Sequence, residues 1–250
     1  MFDGGLITAI LVGCIVGGFA KGVSGSGLPQ VAVPIIALIT DVPTAMAVVQ
    51  LPALSINLLQ IRYKDQPASL ALQHWPVFLM LFCTTIVGIS ILRVAPPGIL
   101  FAFLGTICIA TVIFLHLKPD FALSAKMRLP VGLPLALIAG LAAGMSSLGG
   151  PFLVPYFLSL KLPKDVFVST VSVCYLAIII PTISFFLYWD LVKPELFLFS
   201  TFAVMPSIAG MWFGNRLRAR INDAQFRKFV LLMLLGSATG LLYKSYRIGF

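Results

Sequence analysis

Two clusters of glycine, serine and proline interrupt the apolar stretches of this 250-residue sequence, and they contain the residues best suited to binding a ligand. Glycine lets a backbone turn sharply and approach a ligand closely. A helix that begins with proline at such a break presents free N–H groups and a partial positive charge, which favours an anion. Serine hydroxyls would add donors. The residues concerned are Ser24, Gly25, Ser26 and Gly27 before Pro29, and Ser146, Ser147, Gly149 and Gly150 before Pro151.

Lys21 is the only charged residue close to either cluster. A cation within a membrane segment is costly and usually functional, so Lys21 is the first candidate for contact with an anion. Two other interpretations stay open. The lysine side chain could extend to the cytoplasmic surface of the membrane, and clusters of small residues also serve close helix packing. The equivalent residue in the second cluster is the neutral Ala143, so the clusters differ in charge.

Further polar residues on the segments near each cluster complete the candidate site. They are also well suited to hydrogen bonds between helices, and that alternative stays open. Gln50 and Thr170 hold matching places after Pro43 and Pro163, which favours them as a pair. The additional candidates for contact with the ligand are Gln30, Gln50, Asn57, Thr170 and Tyr175.

The composition requires lipid as the solvent for the elements that position these residues. Hydrophobic residues make up 60% of the chain and charged residues 10%, whereas a soluble domain carries about 25% charged residues. Most charge-free runs have the length of a membrane-spanning helix, roughly 17–25 residues. These runs are 4–20, 22–40, 42–61, 66–92, 94–117, 129–160, 166–189, 196–215 and 229–243. The sequence therefore predicts an all-α polytopic membrane protein of about ten segments, with a broken or short helix pair in each half.

The two clusters belong to an internal repeat. The segment that begins at Gly18 aligns with the segment that begins at Gly140, a shift of 122 residues (140 minus 18), and Gly88 and Gly210 have the same separation. Lys and Arg mark cytoplasmic loops, and the loops after equivalent spans carry opposite charge patterns. Five segments per half is an odd number, so the second half must be inverted, as is typical of secondary transporters. We predict a first repeat over residues 1–120, a cytoplasmic linker over 121–130 and an inverted second repeat over 131–250.

Other classes of function find little support in the sequence. The formal net charge is +9, but the basic residues lie in short loops between apolar runs, so no nucleic-acid partner is predicted. The four cysteines are isolated and form no CxxC pair. No metal site, cofactor or catalytic set is predicted, because no Ser/His/Asp set, HExxH motif or pair of intramembrane acids is present.

The two clusters resemble those of the sulfite exporter TauE/SafE family of membrane permeases. The similar segments are GFAKGVSGSGLPQVAVP at 18–34 and GLAAGMSSLGGPFLVP at 140–155. The resemblance extends over essentially the whole chain, including its size and duplicated layout. It implies transport of sulfite, sulfoacetate or a related organosulfonate, commonly outward, across the bacterial cytoplasmic membrane. The second cluster departs from the pattern of the first because it lacks a lysine.

These features together predict a multi-pass secondary transporter that exports a small sulfur-containing anion by alternating access, and not an enzyme. The alternatives left open are an anion channel and a membrane subunit or enzyme without a transport function. All eight acidic residues lie at loops or segment ends, so the membrane potential itself is the predicted driving force. The predicted partners are the small anion and the lipid bilayer, with a homodimer left open.

Overall fold

The computed structural model describes residues 4–37, 39–61, 73–117, 123–218, 220 and 223–249. Within these ranges the chain is helical and contains no β-strand, which confirms the predicted all-α class. The α-helices are α1 (Gly4–Ser24), α2 (Leu28–Ala37), α3 (Val42–Ile61), α4 (Trp75–Leu92), α5 (Pro97–Leu117), α6 (Arg128–Ser146), α7 (Gly150–Ser159), α8 (Lys164–Tyr188), α9 (Pro194–Ser200), α10 (Val204–Arg218) and α11 (Asp223–Ile248). Two short 3₁₀ turns, Ala125–Met127 and Thr201–Ala203, precede α6 and α10.

Six helical spans among the described residues are long and apolar enough to cross a membrane. The last of them, Pro194–Arg218, comprises α9, the second 3₁₀ turn and α10. Large apolar side chains lie exposed on the outside of these helices, as expected of a surface that contacts lipid tails; examples are Val12, Leu79, Ile180 and Phe213. The chain is therefore a multi-pass membrane protein, as predicted.

Helices α2 and α7 are too short to cross a membrane. Each has ten residues, which corresponds to about 15 Å of helix, half of the roughly 30 Å hydrocarbon core. Each follows a full-length helix after a break of three residues, at 25–27 and at 147–149. The short helix expected after each cluster is thus present, and the apolar run 129–160 divides into α6 and α7.

The two halves of the chain interlock. Helix α1 packs along α10 and α6 packs along α4, while α3 and α8 lie against each other. Helix α2 contacts α11, and α7 contacts α5. Glycines make the two long contacts close, since Gly22 of α1 faces Gly214 of α10 and Gly144 of α6 faces Gly88 of α4. Small residues of this kind let helix backbones approach each other in a membrane.

Some predicted loops lie outside the described residues. They include the basic residues Arg62 and Lys64 and the segment 118–122. The described part of the predicted linker 121–130 contains the first 3₁₀ turn, and α6 begins at Arg128. The division of the chain into two repeats and a linker stays a prediction.

A buried polar contact lies where α4, α6 and α7 come together. His74 directly precedes α4 and is 2% exposed, and its Nδ1 atom lies 3.0 Å from the hydroxyl of Tyr156 in α7. The imidazole also meets the rings of Tyr156 and Phe157 edge-on. Burial, and to a smaller degree the Arg128 guanidinium, lower the pKa of His74 from its ordinary value of 6.5. The imidazole is therefore neutral at neutral pH.

We expect this histidine to make the folded protein less stable in acid. The unfolded chain takes up a proton on His74 at its ordinary pKa, whereas the folded protein takes it up only at lower pH. Acidification from about pH 7.5 to about pH 5.5 should therefore favour unfolding, by at most about 1.4 kcal/mol per pH unit. Thermal unfolding of the purified protein should show a smaller acid loss for His74→Gln, which cannot titrate. Equal losses in the two proteins would contradict the pKa shift.

Candidate functional site

The two breaks share one backbone geometry. The residue after α1, Gly25, has a left-handed φ of 74°, and the residue after α6, Ser147, has a φ of 60°. The N–H of Gly25 donates to the carbonyl of Lys21 at 2.8 Å, and the N–H of Ser147 donates to the carbonyl of Ala143 at 2.7 Å. A left-handed residue in this place ends many helices. The two left-handed residues are 122 positions apart (147 minus 25), the shift that relates the two clusters.

The short helices that follow the breaks begin inside the protein. Helix α2 begins at Leu28 and α7 begins at Gly150, and proline is the second residue of each. These first residues are buried. The first turn of a helix carries a partial positive charge, and proline at its start removes an N–H that would otherwise need a partner. Both helices therefore bring electropositive ends to the interior.

Lys21 lies at the first break, with its side chain inside the protein and 1% exposed. Its ammonium donates to the carbonyl of Gly25 at 2.7 Å, to Oδ1 of Asn57 at 2.8 Å and to the hydroxyl of Ser172 at 3.4 Å. The same ammonium lies 4.6 Å from the centre of the Tyr175 ring. All four of these groups are neutral. The interpretation in which Lys21 extends to the membrane surface is wrong, because the side chain is enclosed.

Two residues that the sequence did not single out extend this cluster. The hydroxyl of Ser172 donates to Oε1 of Gln60 at 3.1 Å, and Gln60 is 3% exposed. Among the described residues, Nε2 of Gln60 and Oγ of Ser169 find no hydrogen-bond partner. Ser172 follows Gln50 by 122 residues (172 minus 50). The shift that relates the two breaks would therefore have indicated Ser172, whereas the prolines after the breaks indicated Thr170.

Tyr175 of α8 joins the two breaks. Its hydroxyl lies 2.7 Å from Oγ of Ser26 at the first break. The same hydroxyl packs against Gly150, the first residue of α7, and so does the side-chain amide of Gln30 from the first turn of α2. A side chain at position 150 would overlap both groups, so this close approach requires glycine.

Amide and hydroxyl groups surround the second break. Nε2 of Gln50 in α3 donates to Oγ of Ser147 at 3.1 Å and to the carbonyl of Met46 at 3.2 Å. Gly149 packs against the side chain of Ile178 in α8. The first break contains the ammonium of Lys21, whereas these groups at the second break are uncharged.

Three of the predicted site residues use their hydroxyls within their own helices, an arrangement common for serine and threonine in membrane helices. The hydrogen bonds run from Ser24 to the carbonyl of Ala20, from Ser146 to that of Ala142 and from Thr170 to that of Val166, each at 2.8 Å. At the first break, Gly27 has a φ of 119° and its carbonyl accepts the N–H of Val31 at 3.0 Å.

The two breaks lie at different heights along α8. Gly25 contacts Val168, and Gly149 contacts Ile178. Ten helical residues separate these contacts, which corresponds to roughly 15 Å along α8, and the hydroxyl of Tyr175 lies between Ser26 and Gly150. The polar members of the predicted site are all buried, with at most 5% exposure. In this conformation the described part of the protein encloses these groups.

A cavity of about 300 Å³ lies beside the last turn of α6. Met145, which directly precedes Ser146, forms part of its wall. Lys244 donates to the carbonyl of Thr40 at 3.4 Å beside this cavity. The wall includes Thr40, Asp41, Leu92, Phe101, Met145 and Lys244.

The described site offers amides, hydroxyls and one ammonium. In the part of the chain that the structure describes, no group of three or more His, Cys, Asp or Glu residues could hold a metal ion. Neutral donors and a buried cation can hold an anion by hydrogen bonds and charge. Reversible binding of a small anion is therefore the chemistry that these groups can perform.

Comparison with known proteins assigns the chain at the level of a family. A family model described as sulfite exporter TauE/SafE matches residues 9–241. The matched range includes both breaks and every residue of the candidate site. No curated protein and no solved structure matches the chain.

Proposed function

The chain belongs to the sulfite exporter TauE/SafE family, and from this premise we propose that it is a carrier for a small sulfur-containing anion. The proposed substrate is sulfite, sulfoacetate or a related organosulfonate. The proposed direction is out of the cytoplasm, across the bacterial inner membrane. The proposed mechanism is alternating access, in which the buried site opens to one side of the membrane at a time.

The observation that carries this proposal is the buried ammonium of Lys21, whose hydrogen-bond partners in the described part of the chain are all neutral. A buried charge that lacks an opposite charge costs several kcal/mol, and such residues in membranes are usually functional. A bound anion would supply the missing negative charge. The electropositive first turns of α2 and α7 add potential of the same sign.

We further propose that residues 1–120 and 131–250 form inverted repeats joined by the segment 121–130. The shared geometry of Gly25 and Ser147 supports this correspondence. The packing supports it as well, because each contact has a counterpart: α1 with α10 and α6 with α4, and α2 with α11 and α7 with α5. In transporters of this design the substrate lies at the interface of the repeats, where Tyr175 joins the two breaks.

Two features on opposite sides of the buried site support alternating access: a cavity near the second break and an ion pair near the first break. At one end, Met145 in the last turn of α6, just before the second break, lines the cavity. Toward the first break, Arg218 at the end of α10 lies 3.7 Å from Asp165 at the start of α8. Opening at the cavity would expose the second break, and separation of the helices at the ion pair would expose Lys21.

We expect anion export to follow the membrane potential. The acidic residues lie at loops or segment ends, so the proposed site has no carboxylate to bind a coupling cation. One elementary charge across 100 mV is worth about 2.3 kcal/mol, nearly fiftyfold in distribution. Liposomes that contain the purified protein and sulfoacetate should lose the anion faster when a potassium diffusion potential makes their interior negative. An interior-positive potential should slow the loss.

Protein-free liposomes under the same potentials are the control for leakage. A flux that ignores voltage but follows a proton gradient would contradict potential-driven export. Exchange of external for internal sulfoacetate, with saturation, is the result expected of a carrier. A flux that does not saturate and shows no exchange would identify a channel instead.

A further inference from the structure

The side chain of Gln60 carries a buried amide donor, and Gln60 is not among the site residues predicted from the sequence. Gln60 lies one turn after Asn57 in α3 and is 3% exposed. Its Oε1 accepts the hydroxyl of Ser172, and that hydroxyl lies 3.4 Å from the ammonium of Lys21. Nε2 of Gln60 finds no partner among the described residues. Buried donors without partners are rare in native proteins and call for an explanation.

The donors and acceptors in the hydrogen bonds among Lys21, Ser172 and Gln60 follow from the chemistry of these side chains. Lys21 has donors only, and a serine hydroxyl has a single hydrogen to give. Ser172 therefore accepts from Lys21 and gives its hydrogen to Oε1 of Gln60. As far as the described residues go, this order leaves both hydrogens of the Gln60 amide available to a ligand.

Each acceptor around the Lys21 ammonium already receives one hydrogen bond. The carbonyl of Gly25, Oδ1 of Asn57 and the Ser172 hydroxyl accept from Lys21, and Oε1 of Gln60 accepts from Ser172. A ligand that enters here meets positive charge and N–H donors. The contact between Lys21 and Ser172 is the longest of the three lysine bonds, so it is the one that a ligand oxygen would replace most readily.

We infer that Gln60 and Lys21 together bind the oxygens of an oxyanion that carries no proton, and that they discriminate against oxyanions that retain one. This inference rests on the proposed anion transport and adds the ligand class and a specificity residue. Sulfonates, sulfate and fully ionised sulfite present only acceptors. Phosphate and hydrogen sulfite carry a proton, and that proton would be buried without a partner, which is costly.

The test measures binding to the purified full-length protein by calorimetry, with sulfoacetate as the ligand. Gln60→Leu should raise the dissociation constant about tenfold or more, because a hydrogen bond to a charged group is lost. Gln60→Glu should abolish binding without lowering the unfolding temperature, because the new carboxylate neutralises Lys21. A glutamine with only a structural role would give the opposite result, a less stable protein that still binds. Gln225→Leu, at an exposed position in α11, is the matched control and should bind like wild type.

A competition experiment on the wild-type protein tests the discrimination between oxyanions with and without a proton, and it needs no variant. Sulfate should displace sulfoacetate at a concentration about tenfold lower than phosphate, because phosphate keeps a proton that the site cannot accept. Equal competition by sulfate and phosphate, or wild-type affinity in a folded Gln60→Leu protein, would overturn the inference while leaving the proposed transport intact. Wild-type protein that binds no sulfur oxyanion would overturn the proposed function and this inference with it.

Discussion

Replacement of Lys21 by methionine should abolish transport of the sulfur oxyanion and leave the protein folded. Lys21 is the charged residue of the first break, and its hydrogen-bond partners among the described residues are neutral. Loss of this charge removes the attraction that draws an anion to the site, and we expect flux into liposomes to fall by about a hundredfold or more, a loss of nearly 3 kcal/mol. Flux should fall to the level of protein-free liposomes.

Stability distinguishes this result from a failure to fold. Methionine fills a similar volume and removes a costly buried charge, while the carbonyl of Gly25 and Oδ1 of Asn57 lose a donor at about 1 kcal/mol each. These effects oppose each other, so the unfolding temperature should stay close to that of wild type. Lys228→Met is the matched control, because Lys228 is exposed in α11 and belongs neither to the candidate site nor to the wall of the cavity. Lys21→Met protein that transports at half the wild-type rate would exclude Lys21 from the site.

The breaks and Lys21 could be predicted from the sequence because their signals are local. Glycines and a following proline mark a helix end whatever surrounds it, and a single charge in an apolar run is conspicuous. Helix α2 and helix α7 begin within two residues of the prolines that predicted them. The distance between the breaks along α8 was not predictable, because it depends on how α3 and α8 pack.

The position of Gln60 could not be predicted from the sequence, whereas the 122-residue shift from Gln50 indicates Ser172. Whether Gln60 faces lipid, a loop or Lys21 depends on the rotation of α3 against α8, and the apolar residues around it carry no clear periodicity to fix that rotation. The spacing after Pro43 and Pro163 predicts Thr170 as the counterpart of Gln50, but the loops before these helices differ in length. In the structure Thr170 donates to the carbonyl of Val166 in its own helix, and it is the hydroxyl of Ser172 that accepts from Lys21.

Alanine at Gly22 or at Gly144 should destabilise the protein strongly. A methyl group at Gly22 would overlap the carbonyl oxygen of Met211 in α10, and one at Gly144 would overlap that of Thr85 in α4. Backbone atoms cannot move aside as a flexible side chain can, so the helices must separate. We expect each change to lower the free energy of unfolding by about 1–3 kcal/mol. Denaturant or thermal unfolding of the purified protein measures this loss.

Gly236→Ala is the matched control, because a methyl group there meets nothing within 4 Å. Gly236 lies in α11, where alanine should raise stability by up to about 1 kcal/mol. The two damaging changes lie in separate helix pairs, so their effects should add in the double variant. If the halves are inverted repeats, Gly22 and Gly144 are equivalent residues, 122 positions apart (144 minus 22), and each alanine should also reduce anion flux. A Gly144→Ala protein as stable as wild type, beside a damaged Gly22→Ala protein, would mean that only one half depends on this close contact, and the proposed equivalence of the halves would fail.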